Sequence, residues 1–394
     1  MCSKLRLFLL ALYVSLVAAS GPGLVLGLGS GLGLSVAVAQ PINTAAPQAV
    51  VYDYELWNVL FEKNADTRMA PSSMTKILTA YLVFEDLSNG SLELSQRFRV
   101  SSNAYQREGS TMWLGLDTYP TVDQLLNGLV VQSGNDAAVV LAEGISGSVA
   151  AFAARMNATA ERLGMHNSNF VNPSGLPDEN HYSTARDIAL LSAAIIRDFP
   201  DYYAIFSRRS YTYNGLTQNN RNLLLGREGV DGIKTGRTQA GGFGLALSAS
   251  DAERRIIVVV NGLSGVEERE REGRRLLDWG LTTFSNHALF SANQVLGYAD
   301  VWLGERAQVP LVLEHPFRLT LRRGLADTLE ARVVYLSPIE APIVQGQEIG
   351  QLLLTSNRSE LNERVPLVAG HDVPRLSPMS AILESLRYRV VNRY

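Results

Sequence analysis

Residues 50–54 and 56–60 are short, largely apolar runs rich in valine and aromatic residues, and this pattern predicts two β-strands. Pro71 ends the pattern, and a helix is expected to begin directly after it. The apolar residues of that helix recur at the spacing of one helix face: Ile77, Leu78, Tyr81, Leu82. A mostly helical stretch, two β-rich runs and a closing helix follow: 121–195, 243–250, 255–262, 267–284. These patterns together predict an α+β unit over residues 49–287.

The pattern changes near residue 288, where short β-type runs separated by prolines and glycines begin. The runs are, in order: 299–303, 308–312, 317–321, 330–335, 348–354, 364–367. They predict a small all-β domain over residues 288–376. Residues 377–394 then place apolar side chains on one helical face: Met379, Ile382, Leu383, Leu386, Val390. With arginines beside them, this tail fits either an amphipathic helix on a membrane surface or a helix docked on its own protein.

The N-terminus has the pattern of an export signal. Lys4 and Arg6 precede an uncharged, largely apolar stretch, residues 7–39, that ends in small residues. Residues 1–39 are therefore predicted to be a signal peptide, and residues 40–48 a linker. The stretch is also long enough for a membrane anchor that is retained. Both alternatives export the body of the protein.

Composition and charge exclude several classes of function. The net charge of −3 over 394 residues gives no basic footprint for nucleic acid. The only cysteine, Cys2, lies in the predicted signal, so the rest of the chain has neither a disulfide nor a thiol nucleophile. Five histidines lack the spacing of metal ligands and are interpreted as loop or surface residues: His166, His181, His287, His315, His371. No metal or organic cofactor is predicted. The charged run at 267–275 is interpreted as a solvated helix face.

Lysine is rare in this chain: only four of its 35 basic residues are lysines. Three lie outside the predicted signal, and two of these, Lys76 and Lys234, belong to short polar motifs. Arginine keeps its proton in a protein, whereas lysine loses it where the site disfavours charge. The placement therefore indicates lysine chemistry at these two positions.

Three motifs occur together: Ser73-Met74-Thr75-Lys76, Ser133-Gly134-Asn135 and Lys234-Thr235-Gly236. Each alone has an ordinary interpretation, such as a helix cap, a turn or the start of a strand. In this order and spacing they match the active-site set of penicillin-binding proteins and serine β-lactamases.

The chemistry of these residue types suggests their roles. Ser73 is the expected nucleophile, and Lys76, three positions later on a helix, is the expected base. A nearby ammonium, that of Lys234, and burial would both lower the pKa of Lys76. Ser133 is expected to relay a proton to the leaving group. Asn135 is expected to hold the substrate amide or to orient Lys76.

The third motif is expected to bind the substrate. Thr235 and Lys234 can hold a free carboxylate from a strand edge that Gly236 continues, with Ser133 assisting. The backbone N–H groups of Ser73 and Arg237 are expected to form an oxyanion hole, in which each donor contributes roughly 3 kcal/mol.

Over residues 48–285 the chain resembles the low-molecular-mass penicillin-binding proteins, specifically exported D-alanyl-D-alanine carboxypeptidases. Pro71-Ser72-Ser73-Met74-Thr75-Lys76 is similar to the family's Pro-Ala-Ser-Leu-Thr-Lys. Further segments that recur in the family are 133–138, 152–165, 172–176, 183–187 and 276–280. The resemblance implies a β-lactamase/DD-transpeptidase-like fold, an antiparallel sheet flanked by helices with a helical subdomain. It also implies a β-rich second domain and a C-terminal amphipathic anchor.

The resemblance also implies a function. It is removal of the terminal D-alanine from peptidoglycan pentapeptides, with β-lactam antibiotics as acylating inhibitors of Ser73. The implied location is periplasmic and peripheral on the inner membrane. The chain departs from the family at Arg237, where histidine is frequent, and at residues 261–264, where an arginine is frequent. We hypothesise that Arg237 supplies the missing guanidinium, with Asp187 as its candidate partner.

Three alternatives stay open at this stage. A class A β-lactamase would need a glutamate for its deacylating water, and no Glu-x-x-Leu-Asn segment follows Ser133-Gly134-Asn135. A DD-endopeptidase acting on cross-links would have the same fold and the same residues. A wall-binding or β-lactam-sensing module without activity would be favoured by loss of Lys76 or Lys234, and both are present.

Overall fold

The computed structural model describes residues 42–251 and 253–391, with side chains described as far as residue 384. The predicted signal peptide, residues 1–39, lies outside the described residues. The described chain forms two compact units, the first ending at Thr283 and the second beginning at Phe284. The second unit thus begins before the predicted position, residue 288.

The first unit is built around an antiparallel five-stranded sheet with the strand order β2-β1-β7-β6-β5. A separate hairpin is formed by β3 and β4. The strands are β1 (Gln48–Asp53), β2 (Asn58–Lys63), β3 (Ser210–Tyr213), β4 (Leu216–Asn219), β5 (Val230–Thr238), β6 (Gly242–Ser250) and β7 (Arg255–Leu263). Four of the five sheet strands overlap the predicted β-rich runs. The fifth, β5, carries the Lys234-Thr235-Gly236 motif at the edge of the sheet.

The described part of the first unit contains eight helices, and the first, sixth and eighth of them pack most closely against this sheet. The eight helices are α1 (Lys76–Ser88), α2 (Ser102–Tyr105), α3 (Val122–Asn127), α4 (Asn135–Ser146), α5 (Val149–Arg162), α6 (Ala185–Asp198), α7 (Pro200–Tyr203) and α8 (Val266–Thr283). Helix α1 buries eleven of its 13 residues, so it lies inside the unit and not on its surface. Polar side chains set the starts of several helices; Thr121, for example, forms a capping box with Gln124.

The central strand β7 shows why the sheet has two cores. Its residues are apolar without interruption from Ile256 to Val260. Ile257 and Val259 join the core that contains α1 and α6, whereas Ile256, Val258 and Val260 join the core beneath α8. Alternate side chains of a strand point to opposite faces, so a continuous apolar run requires cover on both sides.

The contacts of helix α8 contradict two predictions, those for the charged run and for the linker. The charged run at 267–275 is not a fully solvated face, because Arg269 and Glu272 are buried. The predicted linker, in its described part, is not free either. Thr44 donates a hydrogen bond from Oγ1 to Glu272 Oε2 at 2.8 Å, and Ala46 is fully buried. The segment that precedes β1 is therefore part of the first unit.

The second unit is all-β apart from a short 3-10 turn and the terminal helix. Its strands are β8 (Phe284–Phe290), β9 (Val295–Trp302), β10 (Gln308–Val312), β11 (Phe317–Arg322), β12 (Leu329–Val334), β13 (Ile339–Glu340), β14 (Glu348–Ser356) and β15 (Asn362–Ala369). Six of them form a sheet with the order β12-β14-β15-β10-β9-β13, and β8 pairs with β11. All six predicted β-runs overlap observed strands. Strand β8 was not predicted because its centre, Ser285-Asn286-His287, lacks an apolar alternation.

A ninth helix, α9 (Pro378–Val391), follows the β unit in the predicted tail. The described side chains of its predicted apolar face, Met379, Ile382 and Leu383, are all exposed. In the described part of the chain, no single helix has the length and apolar character needed to cross a membrane; α4 with α5 meets that measure only as a pair bent by 86°.

Candidate active site

Ser73 lies in a 3-10 turn, Ser72–Thr75, that leads directly into α1. Lys76 is the first residue of that helix and is 1% exposed. Residues three apart eclipse one another in a 3-10 turn, which places the two side chains on one side. Lys76 Nζ is 3.1 Å from Ser73 Oγ. The expected nucleophile and base are thus in hydrogen-bond contact.

Lys76 donates two further and shorter hydrogen bonds. They go to Asn135 Oδ1 at 2.8 Å and to the backbone oxygen of Ser174 at 2.6 Å. The pKa of Lys76 is lowered well below that of a free lysine, first by burial and then by the positive charges of Lys234 and Arg221. The sequence predicted both causes, and the structure makes burial the larger one.

Ser133 and Lys234 form a second polar pair. Ser133 adopts a left-handed conformation (φ 61°) between the π-helical turn Gly128–Gln132 and α4. Lys234 Nζ donates to Ser133 Oγ at 3.0 Å and to the Thr235 carbonyl at 3.3 Å. Both side chains are buried. Burial and then the charges of Arg221 and Arg269 lower the pKa of Lys234 to about 7.

Asn135 is fixed at both ends of its amide. While Oδ1 accepts from Lys76, Nδ2 donates to the Glu108 carbonyl at 2.7 Å. The adjacent carboxylate of Asp136 accepts from the backbone N–H groups of Met112 and Leu114. The segment around residues 108–114 is therefore held over the second motif. Burial raises the pKa of the Asp136 carboxyl.

The third motif runs along the edge strand β5. A Cβ added to Gly236 would lie 3.0 Å from the Pro71 carbonyl oxygen, so glycine lets the strand approach the turn that carries Ser73. The Arg237 guanidinium lies 5.1 Å from the centre of the Phe243 ring. A cation over an aromatic face is attracted to it, which orients this side chain beside the cleft.

A cavity of about 1150 Å³ is lined by residues of all three motifs. Six of the eight predicted site residues line it: Ser73, Ser133, Asn135, Thr235, Gly236, Arg237. The two lysines lie buried and bonded to Ser73 and Ser133. The structure therefore brings together all eight residues that the sequence singled out. Within the described residues, no cluster of three or more histidine, cysteine or acidic side chains could hold a metal ion.

Two arginines at the cavity were missed from the sequence. Arg221 and Arg269 both line it, and Arg269 donates to the Arg221 backbone oxygen at 3.0 Å. Residues 261–264 lack an arginine, but α8 places Arg269 at the same cleft. The helical spacing of α8 was a signal for Arg269. It lies on the same helix face as Glu272, Gly273 and Leu276, which follow it by three, four and seven positions and are also buried.

The pairing of Asp187 with Arg237 was wrong. Asp187 lies at the start of α6, where its carboxylate accepts from Ser168 Oγ at 2.6 Å and from the Asn167 N–H at 3.0 Å. It stabilises the loop before that helix. Arg237 instead lines the cleft against Phe243.

His181 lies in a loop, one of the two positions predicted for it, but it is not a surface residue, because its side chain is buried beside the first motif. Its Nδ1 accepts from the Val171 N–H at 3.2 Å, so the ring proton is on Nε2, which lies 2.8 Å from Thr75 Oγ1. Burial lowers the pKa of His181 to about 4. The neutral ring thus ties the loop at 171 to the turn that precedes Lys76.

Comparison with known families agrees with this geometry. Residues 35–264 match the model of the D-alanyl-D-alanine carboxypeptidase family, and residues 284–375 match the C-terminal domain of penicillin-binding protein 5. D-alanyl-D-alanine carboxypeptidase DacA of Haemophilus influenzae is 37% identical over 320 residues, covering 79% of this chain and 81% of that protein. DacA of Escherichia coli K12 is 32% identical and covers 87% of each.

Solved structures are similar as well. Penicillin-binding protein 5 of Haemophilus influenzae (34% identity, TM-score 0.75) covers 85% of this chain and 99% of its own. DacD of Francisella tularensis (30% identity, TM-score 0.78) covers 85% of this chain and 95% of its own. Penicillin-binding protein D2 of Listeria monocytogenes was solved in an ampicillin-bound form (30% identity, TM-score 0.57). It covers 61% of this chain and 99% of its own. The predicted α+β fold with an all-β C-terminal domain is confirmed. The chain belongs to the D-alanyl-D-alanine carboxypeptidase family of penicillin-binding proteins, the serine hydrolases that its three motifs predicted.

Proposed function

We propose that this carboxypeptidase removes the terminal D-alanine of peptidoglycan pentapeptides through an acyl-enzyme on Ser73. The observation that carries the proposal is the environment of Lys76 Nζ, which contacts Ser73 Oγ, Asn135 Oδ1 and the Ser174 carbonyl. All three acceptors are uncharged, so no carboxylate in direct contact compensates the burial of an ammonium. The site therefore favours the free amine, which is the form that a base needs.

Acylation follows from these contacts. The free amine keeps two N–H bonds for Asn135 and Ser174, and its lone pair accepts the proton of the Ser73 hydroxyl. Ser73 Oγ then bonds to the carbonyl carbon of the penultimate D-alanine. Negative charge on the carbonyl oxygen is stabilised by the backbone N–H groups of Ser73 and Arg237.

Departure of D-alanine requires a proton on its nitrogen. The Ser133 hydroxyl donates that proton as the C–N bond breaks, and Lys234, 3.0 Å away, reprotonates Ser133. A water molecule then bonds to the acyl carbon and returns a proton to Lys234 through Ser133. Lys76 gives its proton back to Ser73 Oγ as the ester bond breaks. Every group ends in its starting state.

The free carboxylate of the substrate explains the positive charge of the cleft. Thr235, protonated Lys234 and Arg237 are proposed to hold it, while Arg221 and Arg269 add to the positive potential. A variant Arg237→Ala should raise KM for a D-alanyl-D-alanine peptide roughly tenfold, the effect of losing a hydrogen bond to a charged group. An unchanged KM would remove Arg237 from this role.

β-Lactams are proposed to acylate Ser73 because they carry a reactive amide and a carboxylate in a similar arrangement. The ampicillin-bound form of the Listeria relative supports this. The body of the protein is proposed to be exported to the periplasm. The exposed apolar side chains at the start of α9 support peripheral attachment to the inner membrane through that helix.

One experiment tests the proposal directly. Mass spectrometry after penicillin treatment should locate a stable adduct on Ser73, and the untreated protein should release D-alanine from a pentapeptide. Lys76→Arg keeps a long basic side chain, but a guanidinium does not give up its proton and cannot act as the base, so both reactions should slow on the order of 10³-fold. Rapid turnover of penicillin would indicate a β-lactamase. Cleavage of cross-linked dimers in preference to pentapeptides would indicate a DD-endopeptidase. D-alanine release by Lys76→Arg at the wild-type rate would overturn the mechanism.

A further inference from the structure

Ser72, which directly precedes the nucleophile, has an unusual backbone conformation. Its φ is 51°, in the left-handed region that non-glycine residues adopt only where their surroundings hold them there. The side chain is buried, with 2% of the residue exposed. The motif that this segment resembles has alanine at this position, so the hydroxyl is a departure from that motif.

Three glycines enclose Ser72. A Cβ added to Gly175 would lie 1.8 Å from the Ser72 backbone oxygen, and one on Gly236 would lie 3.2 Å from Ser72 Cβ. A Cβ on Gly241 would lie 3.1 Å from Ser72 Oγ. Backbone from two different segments therefore packs directly against this residue. The Ser72 hydroxyl has little space in which to turn away.

From this position the Ser72 hydroxyl is within hydrogen-bond distance of strand β5. Ser72 Oγ lies 2.9 Å from Thr238 Oγ1, and Thr238 Oγ1 also accepts from the Gly241 N–H at 2.9 Å. Thr238 is the last residue of β5, and Gly241 lies in the turn to β6. The hydroxyl pair thus connects the turn before Ser73 to the end of the strand that carries the third motif.

We infer that Ser72 is a positioning residue, which fixes the distance between the two oxyanion donors through its bond to Thr238. Ser72 is adjacent to Ser73 and Thr238 is adjacent to Arg237, and the N–H groups of Ser73 and Arg237 are the two donors of the proposed function, on which this inference rests. A tetrahedral oxyanion needs both donors at hydrogen-bond distance together. A bond one residue from each donor restrains their separation more tightly than packing alone.

The test separates acylation from binding. In Ser72→Ala, the rate of acylation by a fluorescent penicillin should fall about tenfold, because one neutral hydrogen bond is worth about that factor. The constant for the reversible complex that precedes acylation should change less than about twofold, since the carboxylate contacts remain. With a D-alanyl-D-alanine peptide, kcat should fall and KM should stay near the wild-type value.

Variants of the partner provide the controls. Thr238→Ser keeps the hydroxyl and should acylate at the wild-type rate, whereas Thr238→Ala should be as slow as Ser72→Ala. The double variant should be no slower than Thr238→Ala, since both changes remove one bond. Ser356→Ala is the matched control, because it breaks a hydroxyl pair of similar length (Thr328, 2.8 Å) in the β unit and should leave acylation unchanged.

Each outcome decides the inference. Wild-type acylation by Ser72→Ala, or a change in KM with kcat unchanged, would overturn it. If Ser72→Ala does not fold, the difference between Thr238→Ala and Thr238→Ser decides the question. Wild-type protein that penicillin does not label at Ser73 would instead contradict the proposed function. Labelled wild-type protein with full-speed Ser72 variants would contradict this inference alone.

Discussion

Ser174 presents its backbone oxygen 2.6 Å from Lys76 Nζ, although the two residues are 98 positions apart. The loop that carries Ser174 is held by Asn172, whose Oδ1 accepts from the backbone N–H groups of Ser174, Gly175 and Leu176. One side-chain amide therefore shapes the loop that orients the proposed base.

Replacing Asn172 with alanine should slow catalysis without direct contact with the substrate. Three N–H groups of the loop would lose their shared acceptor, and the Ser174 carbonyl would no longer be held against Lys76. We expect Asn172→Ala to lower kcat on the order of 10-fold or more, and to lower the melting temperature as well. Steady-state kinetics and thermal unfolding measure the two effects.

Asn172→Asp is the informative control, because a carboxylate still accepts from the three N–H groups but adds a negative charge near Lys76. That charge should raise the pKa of Lys76, so the acid side of the pH profile of kcat/KM should move to higher pH. The melting temperature should stay closer to that of the wild type than in Asn172→Ala. An unshifted acid side would argue against Lys76 as the titrating base.

The pH dependence of the wild-type enzyme should have two limbs. kcat/KM should rise with pH as Lys76 loses its proton, because only the free amine can accept the Ser73 proton. It should fall again as pH passes about 7, where Lys234 of the free enzyme loses the charge that holds the substrate carboxylate. Rates measured between pH 4 and 9 at constant ionic strength test this.

Arg221 lowers the pKa of both lysines through its positive charge. Arg221→Gln should therefore raise both values and move the whole kcat/KM profile to higher pH. Arg99→Gln removes an exposed surface charge that does not line the described cleft, and should leave the profile in place. A profile that falls in height without moving along the pH axis would show that Arg221 acts in another way.

Buried His181 should make the protein sensitive to acid. Its pKa in the folded state is about 4, below the 6.5 of an unfolded chain. The unfolded chain therefore binds the extra proton first, and stability is lost as pH falls from 6.5 to about 4, by roughly 3 kcal/mol at most. In His181→Gln, whose amide can replace both hydrogen bonds, this loss should be smaller. Urea unfolding at several pH values measures this. If His181 had no part, the free energy of unfolding would change with pH equally in the wild type and in His181→Gln.

Asp53 and Arg254 form an ion pair in the core, with 0% and 1% of their side chains exposed. Arg254 also donates to the Gly280 carbonyl, so the pair joins β1 to the end of α8. Asp53→Asn removes the carboxylate charge that faces the buried guanidinium and should cost about 3–5 kcal/mol of unfolding free energy. In Arg99→Gln, which breaks an exposed pair, the melting temperature should not change.

The sheet and its covering helices were predictable because their patterns are local. The apolar run of β7 and the apolar spacing in α1 indicate which residues are buried, because the periodicity within a single strand or helix shows which of its faces are covered. Elements with weak patterns were missed. Strand β8 and the hairpin of β3 and β4 carry polar residues, so only their pairing partners reveal them.

The candidate site was predicted from three motifs, and its eight residues do lie together in the structure. The contributions of Ser174, Arg221, Arg269 and His181 were not predicted. A backbone carbonyl has no sequence signature, and a charged or histidine side chain is usually exposed. Whether such a residue is buried depends on which distant segment packs over it.

The sequence by itself determined the chemistry of this protein, because a serine, two lysines and their spacing define the available reactions wherever the chain brings them together. The tertiary structure alone decided how those groups behave. Burial and the convergence of distant cations lower the pKa of Lys76 and Lys234, and three glycines allow separate segments to meet at Ser72. Such effects depend on distances through space, which positions along a chain do not specify.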